Sequence, residues 1–449
     1  MVEQMAPSYS EKENQNSFQG SDTHQAMVKT AYESISSSYI MQLGCVIVLL
    51  VLCVCFYRLK QNARLGPRYW PFLGSVCDIS AHYCHLHDWL LGFFLSSKTI
   101  HVRMPWGRVY YCTVDPVNVQ YLLQTNSVNF RKGKGFFKRM EVLLGQKELH
   151  ESWVMRNWVA SEFCKPSVCD LTAAVMKKKT CTIARLLAEV AGEGTTVDIQ
   201  DLIQRATLDA IGKVAFGVDF ASLPSALPKP WPHIAFASSL DLATTIAVKR
   251  FSDPFWELKR YMNIGPERML PEQMQVVDGF IFSLIADRKA ELKHLHGQVY
   301  DLAQAYLAHA EGDPRDIEED DTLPAGEVFV SSKKGNVVFI APYSMARMTS
   351  IWGPDAVQFN PDRWLQSGKL EPASDSKFVT FQAGLYTGAV KDLTYQSCKV
   401  TAAILVRFFE FIRACPVNRP PEYRMTSTLV MESGLQMYPR LKDKLGATI

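Results

Sequence analysis

The longest apolar stretch of the chain runs from Tyr39 to Tyr57, where Gln42 is the only strongly polar side chain. As a helix this run is about 28 Å long, close to the hydrocarbon thickness of a bilayer. An apolar run of this kind also suits a buried core helix, so its flanks matter. Residues 1–38 are polar and rich in Ser, Gln and Glu, which predicts a disordered tail. Arg58, Lys60 and Arg64 follow the run, and this basic flank places the C-terminal bulk in the cytosol. No small-residue cleavage site follows, which argues against a removable signal. The pattern predicts a single-pass anchor over 39–57.

Beyond it, residues 58–75 form a Pro/Gly-rich linker, and Gly66 to Gly74 read as an ordered bend. Met104 to Val114 suit a strand pair turning around Gly107. Asp115-Pro116 opens an amphipathic helix with Val119, Leu122 and Leu123 on one face. Helical spacing recurs over Val197 to Val214 and over Gln273 to Leu295. Leu323 to Gly326 begins a turn-rich region, Val337 to Ile340 is a strand candidate, and Lys399 to Arg413 reads as a last apolar helix. There is no internal repeat. The body, 76–449, is predicted to be one mainly α domain with small β-sheets.

Composition narrows the function classes. A formal net charge of +3 argues against a nucleic-acid partner, which would select a concentrated basic face. Eleven scattered cysteines without CxxC pairs fit reduced thiols facing the cytosol. His82, Cys84, His85 and His87 lie close enough to suggest a metal site, but no second ligand pair follows at zinc spacing. A solvated helix face is the expectation there, and no metal is assigned.

Several segments, in order, resemble the cytochrome P450 superfamily and within it the plant long-chain fatty-acid hydroxylases. They include WPFLG (Trp70 to Gly74), LHDWL (Leu86 to Leu90), DPVNVQYLLQTN (Asp115 to Asn126) and DPFWELKRYMNIG (Asp253 to Gly265). YSMARM (Tyr343 to Met348), IWGPDAVQFNPDRWL (Ile351 to Leu365) and FQAG (Phe381 to Gly384) continue the series. The resemblance implies a P450-like fold, a heme cofactor and insertion of one oxygen atom of O2 into a C–H bond. It also implies a long-chain fatty acid or similar lipid as substrate. An NADPH-dependent flavoprotein reductase would be the electron donor, and the endoplasmic reticulum membrane the location.

The chemistry departs from that pattern at four places. In the loop from Phe381 to Val390, Gly388 stands where the resemblance implies the iron-ligating cysteine, and Tyr386 where it implies a propionate-binding arginine. A cysteine thiolate pushes electron density onto iron and favours O–O cleavage, which glycine cannot do. Tyr386 is a chemically possible phenolate ligand, although packing is its expected role. Cys398 lies ten residues on, in the following helix. The proton-relay helix is missing: Ala191 to Thr196 imitates its motif but reads as a loop, and a block is expected to be absent between about 289 and 320. The ExxR pair goes with it, because Glu257 and Arg260 belong to another segment and read as a solvated face. Arg363 is thereby left without its usual partner, so its surroundings must rearrange or stay wet. Trp153 and Arg156 keep the outline of a propionate contact, with the arginine one position early. Cofactor-contact candidates are therefore Trp153, Arg156, Phe381 and Gly384, with no catalytic residue identified. The expected function is that of an impaired relative, a pseudoenzyme; an active fatty-acid hydroxylase with an atypical heme site is the alternative.

Overall fold

The computed structural model describes residues 39, 41–59, 61, 66–145, 160–161, 163–227, 233–292, 315–317, 321–322, 331–332, 335–384, 388, 390–414, 422–426 and 428–442. The expected tail 1–38, the turn region Leu323 to Gly326 and most of the interval 289–320 lie outside these residues. The chain divides into two compact units, Met1–Asn62 and Ala63–Ile449.

In the first unit, helix α1 (Met41–Leu59) coincides with the predicted anchor. Its 19 residues have a mean hydropathy of 2.3 and none is buried. It is long and apolar enough to cross a membrane.

The second unit begins with the expected bend. Trp70 and Gly74 pair as an isolated bridge, and Ser75 N donates to Arg103 O at 2.7 Å. Gly74 is required there, since its φ is +60° and a Cβ would lie 2.4 Å from Arg103 O. Helices α2 (Val76–Ala81) and α3 (Leu86–Phe94) follow. Next come strands β1 (Thr99–Arg103) and β2 (Val109–Thr113), antiparallel with Thr99 opposite Thr113 and Arg103 opposite Val109. The hairpin thus turns over Pro105–Gly107 as expected, but its first strand lies upstream of Met104. Alternation explains the placement: Ile100 and Val102 of β1 are buried with Cys112 of β2.

Helix α4 (Pro116–Gln120) opens where predicted, with Asp115 Oδ1 accepting from Val117 N at 2.9 Å and Pro116 in the first turn. A π-turn, Tyr121–Thr125, prolongs it. Val119, Leu122 and Leu123 are fully buried, as their spacing requires. Strand β3 (Phe130–Arg131) leads to α5 (Lys134–Leu144) and the 25-residue α6 (Pro166–Val190). Strand β4 (Val197–Asp198) runs into α7 (Ile199–Phe216), which ends at left-handed Gly217. Between α6 and β4, Ala191 to Thr196 form the expected loop rather than part of a helix.

Helices α8 (Ala235–Lys249), α9 (Trp256–Met262) and α10 (Leu270–Leu292) complete the middle of the chain. Strands β5 (Arg315–Ile317) and β6 (Val337–Ile340) finish a five-stranded sheet in the order β1-β2-β6-β5-β3. Helix α11 (Lys391–Phe408) starts eight residues before the expected Lys399, and the last five residues to Arg413 form strand β7 (Phe409–Arg413) instead. The alternation of Phe409, Phe411 and Arg413 suits pairing better than a helical face. Strands β8 (Tyr423–Met425) and β9 (Leu429–Met431) make a hairpin, and β10 (Gln436–Leu441) pairs with both β7 and β4.

Three apolar clusters hold this unit. One joins the five-stranded sheet to α3, α4, Val379 and Ala383. A second packs α6, α7 and α11 around Ile183, Leu187, Leu202 and Leu405. The third joins α5, α8 and α10 through Phe136, Met140, Ile246 and Leu270. Beside the third, Arg250 and Glu267 form a buried two-pronged pair at 2.9 and 2.7 Å. Arg250 also donates to Arg139 O at 2.7 Å and lies 4.6 Å from the Trp256 ring centroid. Glu267→Ala leaves that guanidinium buried without its carboxylate and is expected to destabilise the fold by about 3–5 kcal/mol. Chemical unfolding followed by circular dichroism measures this, and Arg250→Met with Glu267→Leu should recover most of the loss.

Candidate functional site

The loop beginning at Phe381 is held by backbone packing. Val379–Phe381 form a 3-10 turn, after which Gln382 takes φ +58° and Gly384 φ +59°. Ala383 between them is fully buried in the sheet cluster. A Cβ on Gly384 would sit 2.4 Å from Leu123 O, so this position requires glycine for close approach as well as for its backbone angle. The Phe381 ring packs on Tyr395 of α11 at 5.1 Å between centroids. Gly388 N donates to Phe381 O at 2.8 Å, and Gly388 O accepts from Lys391 N at 3.1 Å. Both polar groups of Gly388 are thus used in closing the loop onto the start of α11. Tyr386, Trp153 and Arg156 lie outside the described residues.

Arg363 is partnered locally. Its Nη2 donates to Asp355 O at 2.8 Å and to Asp355 Oδ2 at 3.1 Å, and its Nε donates to Asn360 O at 3.2 Å. The Asn360 amide first, and then Arg363, hold the Asp355 carboxyl below its ordinary range. The expected unpaired guanidinium is therefore resolved by rearrangement. Glu257 and Arg260 are indeed on an exposed face, where they meet Lys138 at 2.8 Å and Glu141 at 3.4 Å on α5.

Comparison with known proteins points to one family. Residues 124–328 match the profile of Cytochrome P450. Cytochrome P450 704B1 of Arabidopsis thaliana is 29% identical over 515 residues, covering 86% of this chain and 96% of the relative. The chain is similar to the cytochrome P450 superfamily over most of its length. Cytochrome P450 704C1 of Pinus taeda is also 29% identical, over 496 residues, and Cytochrome P450 94B3 of Arabidopsis thaliana is 27% identical over 478. The mainly helical unit with small sheets agrees with this likeness, as the sequence resemblance implied.

Heme is the cofactor that the likeness to P450 implies, and the described residues of the loop do not fit it. Among the described residues of the loop, no side chain offers an iron ligand, because position 388 is glycine. The thiol of Cys398 lies exposed in the following helix. Cys112 is buried in the sheet, where burial pushes its thiol up to about 12, away from the thiolate form that binds iron. Phe381 and Gly384 do come together in this loop as expected, but each is accounted for by packing on α11 and α4.

A second constellation had no signature in the sequence. The His82–His87 segment was expected to be a solvated face, and Cys84 and His85 are exposed. His82 instead stacks on Trp89 at 4.8 Å, and His87 stacks on Tyr343 at 5.3 Å. No group of three potential metal ligands occurs among the described residues. The Tyr343 hydroxyl donates to the Asp88 carboxylate, and Arg347 covers the Tyr343 ring at 3.5 Å. Tyr423 OH accepts from His87 N at 3.1 Å and from Asp88 N at 3.4 Å. Burial, reinforced by the Asp88 charge, pushes the Tyr423 phenol up to about 12. These contacts fasten the β8–β9 hairpin to α3. On its other sides, Arg424 pairs with Asp241 of α8 at 2.8 Å. Gln200 of α7 exchanges two hydrogen bonds with Met431, at 3.1 and 3.0 Å.

The clamped hairpin roofs a cavity of about 140 Å³ whose walls are almost wholly apolar. Val102, Cys112 and Phe339 come from the sheet, Phe251 from the end of α8, and Met425 and Leu429 from the hairpin. Tyr83 and His87 add the ring edges at one side, and burial pushes the Tyr83 phenol up to about 12. Burial is also the main cause that lowers His87 to about 4; Arg347 adds to the shift and Asp88 opposes it.

The linkage for His87 has a definite sign. Above pH 6.5 the ring is neutral in both states and the fold keeps its full stability. Below 6.5 the unfolded chain takes up a proton that the native ring refuses until about pH 4. Stability should therefore fall across that window by about 2–3 kcal/mol from this group. Unfolding curves at several pH values, compared between the wild type and His87→Phe, measure it; the variant should lose this component of the slope.

Proposed function

We propose that the chain is a membrane-anchored P450 homologue that has lost heme-thiolate oxygen chemistry and retains the binding of a lipid. The observation that carries the reading is Gly388. By the sequence resemblance it takes the place of the iron ligand, and both its backbone groups are engaged in closing the loop, N–H to Phe381 O at 2.8 Å and O from Lys391 N at 3.1 Å. Thiolate push is the protein's contribution to O–O cleavage in this family, and glycine has no donor atom to supply it.

The block expected to be absent between about 289 and 320 suits the same reading. The alignment with the Arabidopsis relative runs over 515 residues, longer than this 449-residue chain, while covering 96% of that relative. Part of the relative therefore has no counterpart here. Without a ligated iron there is no acceptor for electrons from a flavoprotein reductase, so that partnership lapses with the chemistry. The lipid, a long-chain fatty acid or a related molecule, follows from the resemblance to plant fatty-acid hydroxylases and suits the apolar cavity. Helix α1 supports single-pass anchoring, with the endoplasmic reticulum as the proposed membrane and the globular unit on the cytosolic side.

Heme quantification and a reduced, carbon-monoxide difference spectrum on the folded, full-length protein test this. The expected result is substoichiometric heme and no thiolate-type Soret band. Gly388→Cys alone should not restore the band, because the propionate arginine and the proton-relay helix stay absent. A thiolate-type band in the wild type would overturn the proposal in favour of an active hydroxylase with an atypical heme site.

A further inference from the structure

We propose that Cys53 and Cys55, near the C-terminal end of α1, carry long-chain fatty acyl groups in thioester linkage. The inference rests on the reading of α1 as a single-pass anchor whose C-terminal end faces the cytosol.

Depth in the membrane is the first argument. Cys55 lies four residues and Cys53 six residues before Leu59, where α1 ends. At the rise of an α-helix these positions are about 6 and 9 Å from that end. Arg58 follows Cys55 by three residues, and Lys60 and Arg64 continue the basic flank. Such a flank marks the cytosolic boundary and is drawn to the anionic headgroups of that leaflet. Both thiols therefore sit where lipid tails give way to headgroups. An acyl donor reaches them from the cytosol, and the attached chain passes straight into the leaflet. Juxtamembrane cysteines so placed are the ones that take reversible S-acylation.

Their surroundings are the second argument. Cys53 and Cys55 are exposed, and none of α1 is buried against the described residues, so packing assigns neither thiol a role. Nor do the two thiols serve each other. Residues two apart on a helix point about 200° away from one another, so the pair neither closes a disulfide nor shares a metal ion. Each meets lipid on its own side of the helix. Cys45 provides the contrast, being equally exposed but four residues from Met41 at the opposite end of the span. The exposed Cys77, Cys84, Cys164 and Cys398 belong to the globular unit, outside the span.

The reaction is an exchange of thioesters. The cysteine sulfur bonds to the acyl carbonyl carbon of a long-chain acyl-coenzyme A while that carbon's bond to the coenzyme sulfur breaks. The coenzyme leaves as its thiol, taking the proton from cysteine. No oxidant is consumed, in keeping with a reduced cytosol. A spanning helix needs no acyl chain for retention. Two chains at one end instead fix the depth of that end and bias the tilt of the span.

The test expresses the full-length protein in eukaryotic cells fed an alkynyl palmitic acid, with label read on denaturing gels of the membrane fraction. Label is expected, and neutral hydroxylamine, which cleaves thioesters, should remove it. Cys53→Leu with Cys55→Leu should lower it about tenfold, each single variant about twofold, and Cys45→Leu should leave it unchanged. Leucine keeps the span apolar, and resistance to alkaline carbonate extraction shows that a variant is inserted. Exchange of the acyl groups for a maleimide tag on the wild type, located by mass spectrometry, should mark Cys53 and Cys55. That measurement decides the matter even where a variant inserts poorly. Carbonate resistance without hydroxylamine-sensitive label overturns the inference and leaves the anchor intact. Tag found only on other cysteines also overturns it. Extraction of the wild type by carbonate overturns the anchor and the inference together.

Discussion

Gly384 lies so close to Leu123 that a single added carbon would stand 2.4 Å from the Leu123 carbonyl oxygen. That approach seats the loop on the end of α4, and α4 is seated in turn by Leu122 and Leu123 in the sheet cluster. The described part of the loop is therefore positioned by the hydrophobic core and by backbone hydrogen bonds. This packing needs no side chain at position 388 and is compatible with the glycine that stands there.

Charge satisfaction imposes the second constraint. Arg250 is fully buried and holds Glu267 with two hydrogen bonds, so neither partner can change alone. Lys179 is treated the same way by Asp209 and Asp219, at 2.7 and 2.6 Å. Arg363 is held by Asp355 and nearby carbonyls, all within eleven residues of it. A planar group with five donors finds such local partners readily.

The parts legible in the sequence are those with short-range causes. Helix α1 is written in composition, and α4 in the Asp-Pro cap and in the spacing of Val119, Leu122 and Leu123. The end of α11 was misjudged because Phe409 to Ile412 is apolar enough for either a helix or a strand, and its partner β10 lies more than twenty residues further on. His87 was misjudged for a similar reason. What turns it inward is Tyr343 and Tyr423, and no local periodicity links residues that far apart. The cavity was invisible altogether, since its walls come from α3, the sheet, α8 and a C-terminal hairpin.

The cavity is built from parts of the chain distant from the Phe381 loop. Among the described residues its walls include none of that loop, and the roof is fastened through Tyr423, Arg424 and Met431 to α3, α8 and α7. Each fastening is a hydrogen bond or ion pair between protein groups, indifferent to what occupies position 388. The walls therefore stand on contacts that do not pass through the loop.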